Sequence, residues 1–205
     1  MTPLGRMPER SVKDLTGEAV GAALDDAAMP AEQVSAAWFA NTRQPMLEGQ
    51  NTVRGQIALG AMGFDGLPIV NVENACASGS SALLQAVAHI QAGMTEVALV
   101  VGTEKMFFPD KRDLMLAAFR GGTDVSAMAE TETWLQSVAV DVIPEGVESA
   151  AERSFFMDVY AAFARQHMKT FGTTMRQIAA VAAKNHRHST LNPLSQYQKD
   201  MSIDD

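Results

Sequence analysis

The stretch from Ile69 to Gly102 constrains the fold more than any other part of this chain. It opens with the apolar run Ile69-Val70-Asn71-Val72 and passes through small residues at 75–82. A helical pattern then follows through Leu83, Leu84, Val87 and Ile90 and stops at Gly93. A second continuous apolar run, Glu96 to Gly102, comes next and reads as a strand of the kind buried on both faces. The same alternation extends toward the N-terminus. Ser11 is a good cap for a helix with apolar residues at Val12, Leu15, Ala19, Val20, Ala23, Leu24 and Ala27. Pro30 fits the first turn of a short helix, and Ala36 to Ala40 reads as a short strand. Residues 41–50 read as a polar loop. Asn51 or Thr52 then caps a helix to about Gly63, with Gly60 weakening its middle. Strands alternating with helices predict an α/β fold, helices layered on a mixed, largely parallel sheet.

After Gly102 the character changes. Phe107-Phe108-Pro109-Asp110-Lys111 breaks the pattern and no strand is readable beyond it. Gly121-Gly122-Thr123-Asp124 is a turn, and 125–150 reads as irregular with a short helix near Trp134. A long amphipathic helix runs from Glu152 to Phe171, and Thr174 caps another to about His188, ended by Leu191-Asn192-Pro193. The division falls within 107–120, giving an α/β domain over 1–115 and a mainly helical domain over 116–205.

A net charge of −8 and a pI near 5.0 argue against nucleic acid or an anionic membrane as a general partner. They leave room for a local basic patch toward a phosphorylated ligand. No run of about 18 apolar residues exists to span a membrane. Met1-Thr2-Pro3-Leu4-Gly5-Arg6 carries no apolar signal region, and one cysteine cannot close an internal disulfide. A cytoplasmic protein is the simplest expectation.

That one cysteine, Cys76, stands at the corner between the apolar run and the helix. Backbone N–H groups at a helix start lack intrahelical partners, and the helix dipole adds partial positive charge there. Both favour thiolate over thiol, which is how a cysteine becomes nucleophilic. Small residues at 77–82 leave room for an acyl group and let the helix approach the sheet. A cysteine also serves as a small core hydrophobe. Both readings stand at this point.

The run Asn74-Ala75-Cys76-Ala77-Ser78-Gly79-Ser80-Ser81-Ala82 resembles the nucleophile loop of the thiolase superfamily. The likeness is to the branch holding sterol carrier protein-type thiolases and bacterial lipid-transfer-type acetyl-CoA acetyltransferases. Gly49 to Gln56 resembles that family's dimer-contact segment, which implies a homodimer through Gln50, Asn51 and Arg54. Val97 to Met106 resembles the core strand after the nucleophile helix. Phe171-Gly172-Thr173-Thr174 and Lys184-Asn185-His186-Arg187-His188-Ser189 to Asn192-Pro193 resemble the sterol carrier branch in particular.

The resemblance implies an acyltransferase. The Cys76 thiolate attacks the ketone of a 3-ketoacyl-CoA, the C–C bond breaks, and a CoA thiol takes the acyl group; condensation is the reverse. Coenzyme A is then a substrate, with no other cofactor and no metal, and the Cys76 backbone N–H is a candidate oxyanion donor. The family's glycine-histidine-proline loop, its second cysteine and its polar asparagine- or histidine-led loop have no counterpart in these residues. The expectation is therefore a fragment: a first strand before Met1 and a second half-domain after Asp205, with the fragment alone inactive and prone to associate through an uncovered apolar face. Three classes stay open. They are a thiolase-type acyltransferase, a retro-aldol lyase acting on steroid side-chain CoA esters with an OB-fold partner, and a non-catalytic half-subunit.

Other residues carry weaker readings. By the resemblance, residues from about 120 onward cover the acyl-CoA, and Arg153, Arg165, Lys169 and Arg176 are phosphate candidates by charge alone. Met106, Met115, Met128 and Met157 either line an acyl pocket or fill core. His186 and His188, two apart, point in different directions on a helix and are poorly placed to share a metal. His89 and His167 read as packing or solvent residues. Asp124, Glu130 and Glu132 read as an acidic run on a solvated loop.

Overall fold

A computed structural model describes residues 1–142 and 155–205. They divide into two units, Met1–Ala118 and Phe119–Asp205. At the centre of the first lies β1 (Ala36–Ala40), buried at all five positions. It is flanked by β2 (Ile69–Val72) and β3 (Ala98–Gly102) in the order β2-β1-β3, and both pairings are parallel. Trp38 stands opposite Val70 on one side and Val100 on the other. The sheet is thus wholly parallel among the described residues. The expectation that the run to Gly102 is buried on both faces needs correction. β3 lies at the sheet's edge, where Leu99 and Val101 are buried but Ala98 and Val100 only half so.

Helices cover both faces. On one, Val12 and Val20 of α1 (Val12–Asp26) and Ala58 and Leu59 of α3 (Arg54–Gly60) pack with Phe39, Leu99 and Val101. On the other, α4 (Ser78–Gln91) brings Ala82 and Ala86 against Ala36, Trp38, Ala40 and Val72. Two alanines at i and i+4 present almost no side chain, so the helix lies close to the sheet, as its small residues predict. Its other apolar residues turn outward: Leu83, Leu84, Val87 and Ile90 are exposed, Leu84 to 71%. Ser11 caps α1 as expected. Its hydroxyl accepts the Asp14 N–H, and the Asp14 carboxylate accepts the Ser11 N–H at 2.8 Å, a bond that lowers the Asp14 carboxyl below its usual range.

Several boundaries differ from expectation, each for a local reason. The loop at 41–50 holds a short helix, α2 (Gln44–Glu48), opened by Pro45 and closed by Gly49 at φ +75°. Five residues are too few to show a period. α3 starts after Val53, which sits in the left-handed region at φ +49°, and has no side-chain cap; neither Asn51 nor Thr52 serves. Pro30 stands just before a 3₁₀ turn over Ala31–Gln33 rather than within it.

α5 (Arg112–Arg120) occupies the stretch where the pattern broke. In the second unit, α6 (Met128–Ser137) is the short helix expected near Trp134, and it takes in Glu130 and Glu132, which were expected on a loop. α7 (Phe155–Phe171) ends at Phe171 as expected, with Gly172 after it at φ +70°, while its expected start at Glu152 lies outside the described residues. α8 (Met175–Ser189) opens on a capping box between Thr174 and Gln177. Leu135, Val138, Ala139 and Ala162 form this unit's core. The Arg165 guanidinium donates to the Val138 and Leu135 carbonyls at 3.1 and 3.3 Å, satisfying acceptors at the end of α6.

Candidate active site

β2 ends at Val72, held opposite Ala40 of the central strand. The chain then turns through Glu73 and Asn74 into a 3₁₀ turn, Ala75–Ala77, and from there into α4 at Ser78. Cys76 is the middle residue of that turn, and it is exposed. The reading of Cys76 as a small core hydrophobe is therefore set aside. The turn is sharp enough to hold Ala75 at φ +45°, a left-handed conformation that costs an L-residue about 1–2 kcal/mol.

Several bonds offset that strain. The Ser78 hydroxyl accepts the Asn74 N–H at 2.8 Å and donates to the Ala75 carbonyl at 2.7 Å. The Ala77 N–H closes on the Asn74 carbonyl, and the Asn74 amide donates to the Ser81 hydroxyl at 2.9 Å. The Glu73 carboxylate accepts the Ala75 N–H at 2.7 Å. Four hydrogen-bonding side chains thus fix the backbone on both sides of the sulfur, and Sγ faces solvent next to a helix start. A nucleophile raised on a strand-to-helix turn is built this way.

A second polar cluster stands beside it. Glu104 follows β3, and its carboxylate accepts the Thr42 and Arg43 N–H groups at 2.8 and 3.0 Å. Asn41 is buried; its amide donates to the Thr103 carbonyl at 2.7 Å and to Glu104 at 3.3 Å. Arg54 donates to the Asn41 side-chain oxygen at 3.2 Å. Glu104 keeps solvent contact as a residue, yet its carboxyl sits back among these groups. Burial pushes it above the usual carboxylate range, against the pull of the Thr42 and Arg43 N–H groups and the Arg43 and Arg54 charges. Its signal in sequence was only a polar pair, Thr103-Glu104, at the end of an apolar strand.

The remaining candidates are engaged locally. In the dimer-like segment, the Gln50 and Asn51 amides donate to the Thr52 and Gly49 carbonyls, which closes the turn before α3. Arg165 bonds to α6 carbonyls, Lys169 pairs with Asp141 at 2.9 Å and Arg176 with Asp204. Arg153 lies outside the described residues. The Met115 sulfur accepts the Phe108 N–H and the Met128 sulfur the Thr123 hydroxyl; Met157 is exposed. His89 stands edge-on to Trp38 at 4.9 Å, His167 against Phe171 at 4.7 Å, and His186 bonds to the Lys199 carbonyl. Asp124 accepts the Ser126 hydroxyl and N–H, which lowers its carboxyl below the usual range. No group of three histidine, cysteine or carboxylate side chains among the described residues is arranged to hold a metal. No helix among them is long and apolar enough to cross a membrane.

The described residues thus combine a parallel α/β sheet with an exposed cysteine on the turn between a strand and a helix that opens on small residues. The chain belongs to the thiolase family: the family profile "Thiolase, N-terminal domain" matches residues 1–203. It is 34% identical over 205 residues to non-specific lipid-transfer protein-like 2 of Caenorhabditis elegans, covering 98% of this chain and 44% of that protein. It is 30% identical over 196 residues to bovine sterol carrier protein 2, with 96% and 32% covered. It is 28% identical over 203 residues to an acetyl-CoA acetyltransferase of Methanothermobacter thermautotrophicus, with 99% and 46% covered. The chain thus spans less than half the length of each of these relatives.

Proposed function

We propose that this chain is the nucleophile-bearing domain of a thiolase-type acyltransferase acting on 3-ketoacyl-CoA, or on acyl-CoA in the condensing direction. The observation that carries the reading is Cys76, exposed on a turn held from both sides, where α4 begins. In the degradative direction the thiolate adds to the 3-keto carbon, and the C2–C3 bond breaks. Its electron pair leaves as the enolate of the shorter acyl-CoA, which is then protonated. The acyl group stays on Sγ as a thioester until a CoA thiol, losing its proton, displaces it and restores the thiolate. The Cys76 backbone N–H is our candidate donor to the developing oxyanion. We assign no residue of this chain to the proton transfers. Coenzyme A enters only as substrate and leaving group. A homodimer through the segment of Gln50, Asn51 and Arg54, in the cytoplasm, completes the reading.

An accessible sulfur favours acyl transfer over retro-aldol cleavage, which has no need of an acyl-cysteine. Cys76→Ser in the gene's full-length product separates the two. Acyl transfer requires CoA-dependent thiolysis to vanish while the melting temperature holds. Undiminished C–C cleavage in that variant, with or without an OB-fold partner, would assign the lyase class instead. A full-length wild-type product that cleaves and transfers nothing would leave a non-catalytic subunit.

A further inference from the structure

Two polar elements meet at the turn that carries Cys76, and only one belongs to the turn. The Ala75 carbonyl, on the residue held at φ +45°, is approached from within by the Ser78 hydroxyl at 2.7 Å. From outside comes Thr42, on the loop after β1, with its hydroxyl 3.3 Å from that carbonyl and 3.2 Å from the Ser78 hydroxyl. Thr42 has one proton to give, so it serves one of these acceptors at a time. Its place depends in turn on Glu104, whose two oxygens take the Thr42 and Arg43 N–H groups. Asn41 bonds to the Thr103 carbonyl beside Glu104, so the loop is pinned to the end of β3 through both backbone and side chain.

We propose that Thr42 and Glu104 are positioning residues for the Cys76 nucleophile: Glu104 clamps residues 41–43 to the end of β3, and Thr42 carries that restraint onto the Ala75 carbonyl and Ser78. The strained Ala75 backbone is what needs such a restraint, since a left-handed alanine relaxes toward the right-handed or extended region when its carbonyl is released. Relaxation there swings the next residue, and Cys76 is the next residue. The surroundings of Glu104 fit this role: its two oxygens take the Thr42 and Arg43 N–H groups, and burial raises its carboxyl above the usual range against the pull of those donors and of the Arg43 and Arg54 charges. This inference rests on the reading of Cys76 as nucleophile but not on the identity of its substrate.

The test is the alkylation rate of Cys76 by iodoacetamide, measured against pH in the full-length product. The variants are Thr42→Val, Thr42→Ser and Glu104→Gln, each with a thermal melt. Thr42→Val keeps shape and removes the hydroxyl. Glu104→Gln turns an amide N–H toward a backbone N–H that the carboxylate accepted. Thr16→Val is the control: Thr16 bonds to Thr103 at 2.9 Å on the α1 side of the sheet and has no bond to the turn. We expect Thr42→Val and Glu104→Gln to change the rate by roughly three- to tenfold, because a relaxed turn alters both the access to Sγ and the helix-start surroundings that set its thiolate fraction. Thr42→Ser should restore it, and Thr16→Val should lower the melting temperature without changing it. Unchanged rates in Thr42→Val and Glu104→Gln would overturn the positioning role. An equal change in Thr16→Val would overturn it too, reducing the effect to general loosening. A wild-type profile identical to that of free cysteine would speak against the nucleophile reading; the ratios between variants still decide the positioning role.

Discussion

Gly55 is the position where a single methyl group should cost the most. It lies in the first turn of α3, and a Cβ placed there would stand 2.6 Å from Cβ of Phe39, 3.0 Å from Cγ2 of Ile69 and 3.1 Å from Cγ of Phe39. Ordinary contact begins near 3.4 Å, so the shortfall against Phe39 is 3.4 − 2.6 = 0.8 Å. Phe39 has no room to yield that distance. It is buried on the central strand and paired with Asn71 on one side and Val101 on the other. The helix must move instead, and it is tied down by Gly55 N–H to the Asn71 side chain at 2.7 Å and Gln56 to the Ile69 carbonyl at 2.8 Å.

Overpacking of this kind costs about 1–3 kcal/mol, and each strained bond adds about 1 kcal/mol at most. Alanine returns about 1 kcal/mol of helix propensity. The clash wins. Gly55→Ala should lose about 2 kcal/mol, which for a chain of this size lowers the melting temperature by roughly 4–8 °C. Gly17 and Gly21 in α1 are the internal comparison, since a Cβ at either meets nothing within 4 Å. Gly21→Ala should hold or raise the melting temperature, because only the propensity effect acts there. Thermal and urea melts of the three proteins read the difference. A Gly55→Ala variant that melts with or above Gly21→Ala would refute the close approach of α3 to β1.

Other outcomes follow from the same geometry. Glu104, raised by burial, stabilises the fold fully below the ordinary carboxylate value of 4.5 and loses that contribution as pH rises through its folded value. Urea midpoints should therefore fall across that window, and Glu104→Gln should flatten the fall. Asp14 works in the opposite sense: its carboxyl is lowered from 3.8, so its contribution is present above that value and fades as pH drops further, and Asp14→Asn should remove that acid-side loss. Leu84→Gln should leave stability within about 0.5 kcal/mol, since the residue is already exposed, and should reduce self-association of the 205-residue chain by light scattering. Asn51→Glu should shift the full-length product toward monomer if the segment pairs across a two-fold axis, because each introduced charge meets its own copy. Arg54→Glu is the poorer choice, since it would break the bond to Asn41 and add a second carboxylate beside Glu104.

The strands and the corner that carries Cys76 were legible because their signals are local. Trp38 and Phe39 inside an alanine frame, the apolar run before Cys76 and the small residues after it each report on one element. The Ser11 and Thr174 caps were legible for the same reason, a side chain three residues from its partner. α2 was not, since five residues from Gln44 to Glu48 span little more than one turn. α6 was legible only as a short helix near Trp134, because Glu130, Thr131, Glu132 and Thr133 stand where a periodic face would show. Val53 as a cap was unreadable too, because a β-branched residue in the left-handed region contradicts its own preference and is held by the fold around it. The polar cluster of Asn41, Thr42 and Glu104 was hidden for a different reason. Its members lie about sixty residues apart and meet only when β1 and β3 pair in register, which no window of sequence displays.

The acyl-cysteine is open to direct detection by intact and peptide-level mass spectrometry of the gene's full-length product, quenched in acid after mixing with acetoacetyl-CoA. One acetyl group should appear on the peptide containing Cys76, be lost when free CoA is added and be absent in Cys76→Ser. An acetyl group on another residue, or C–C cleavage proceeding in Cys76→Ser with no acyl-protein at all, would contradict the acyl-cysteine.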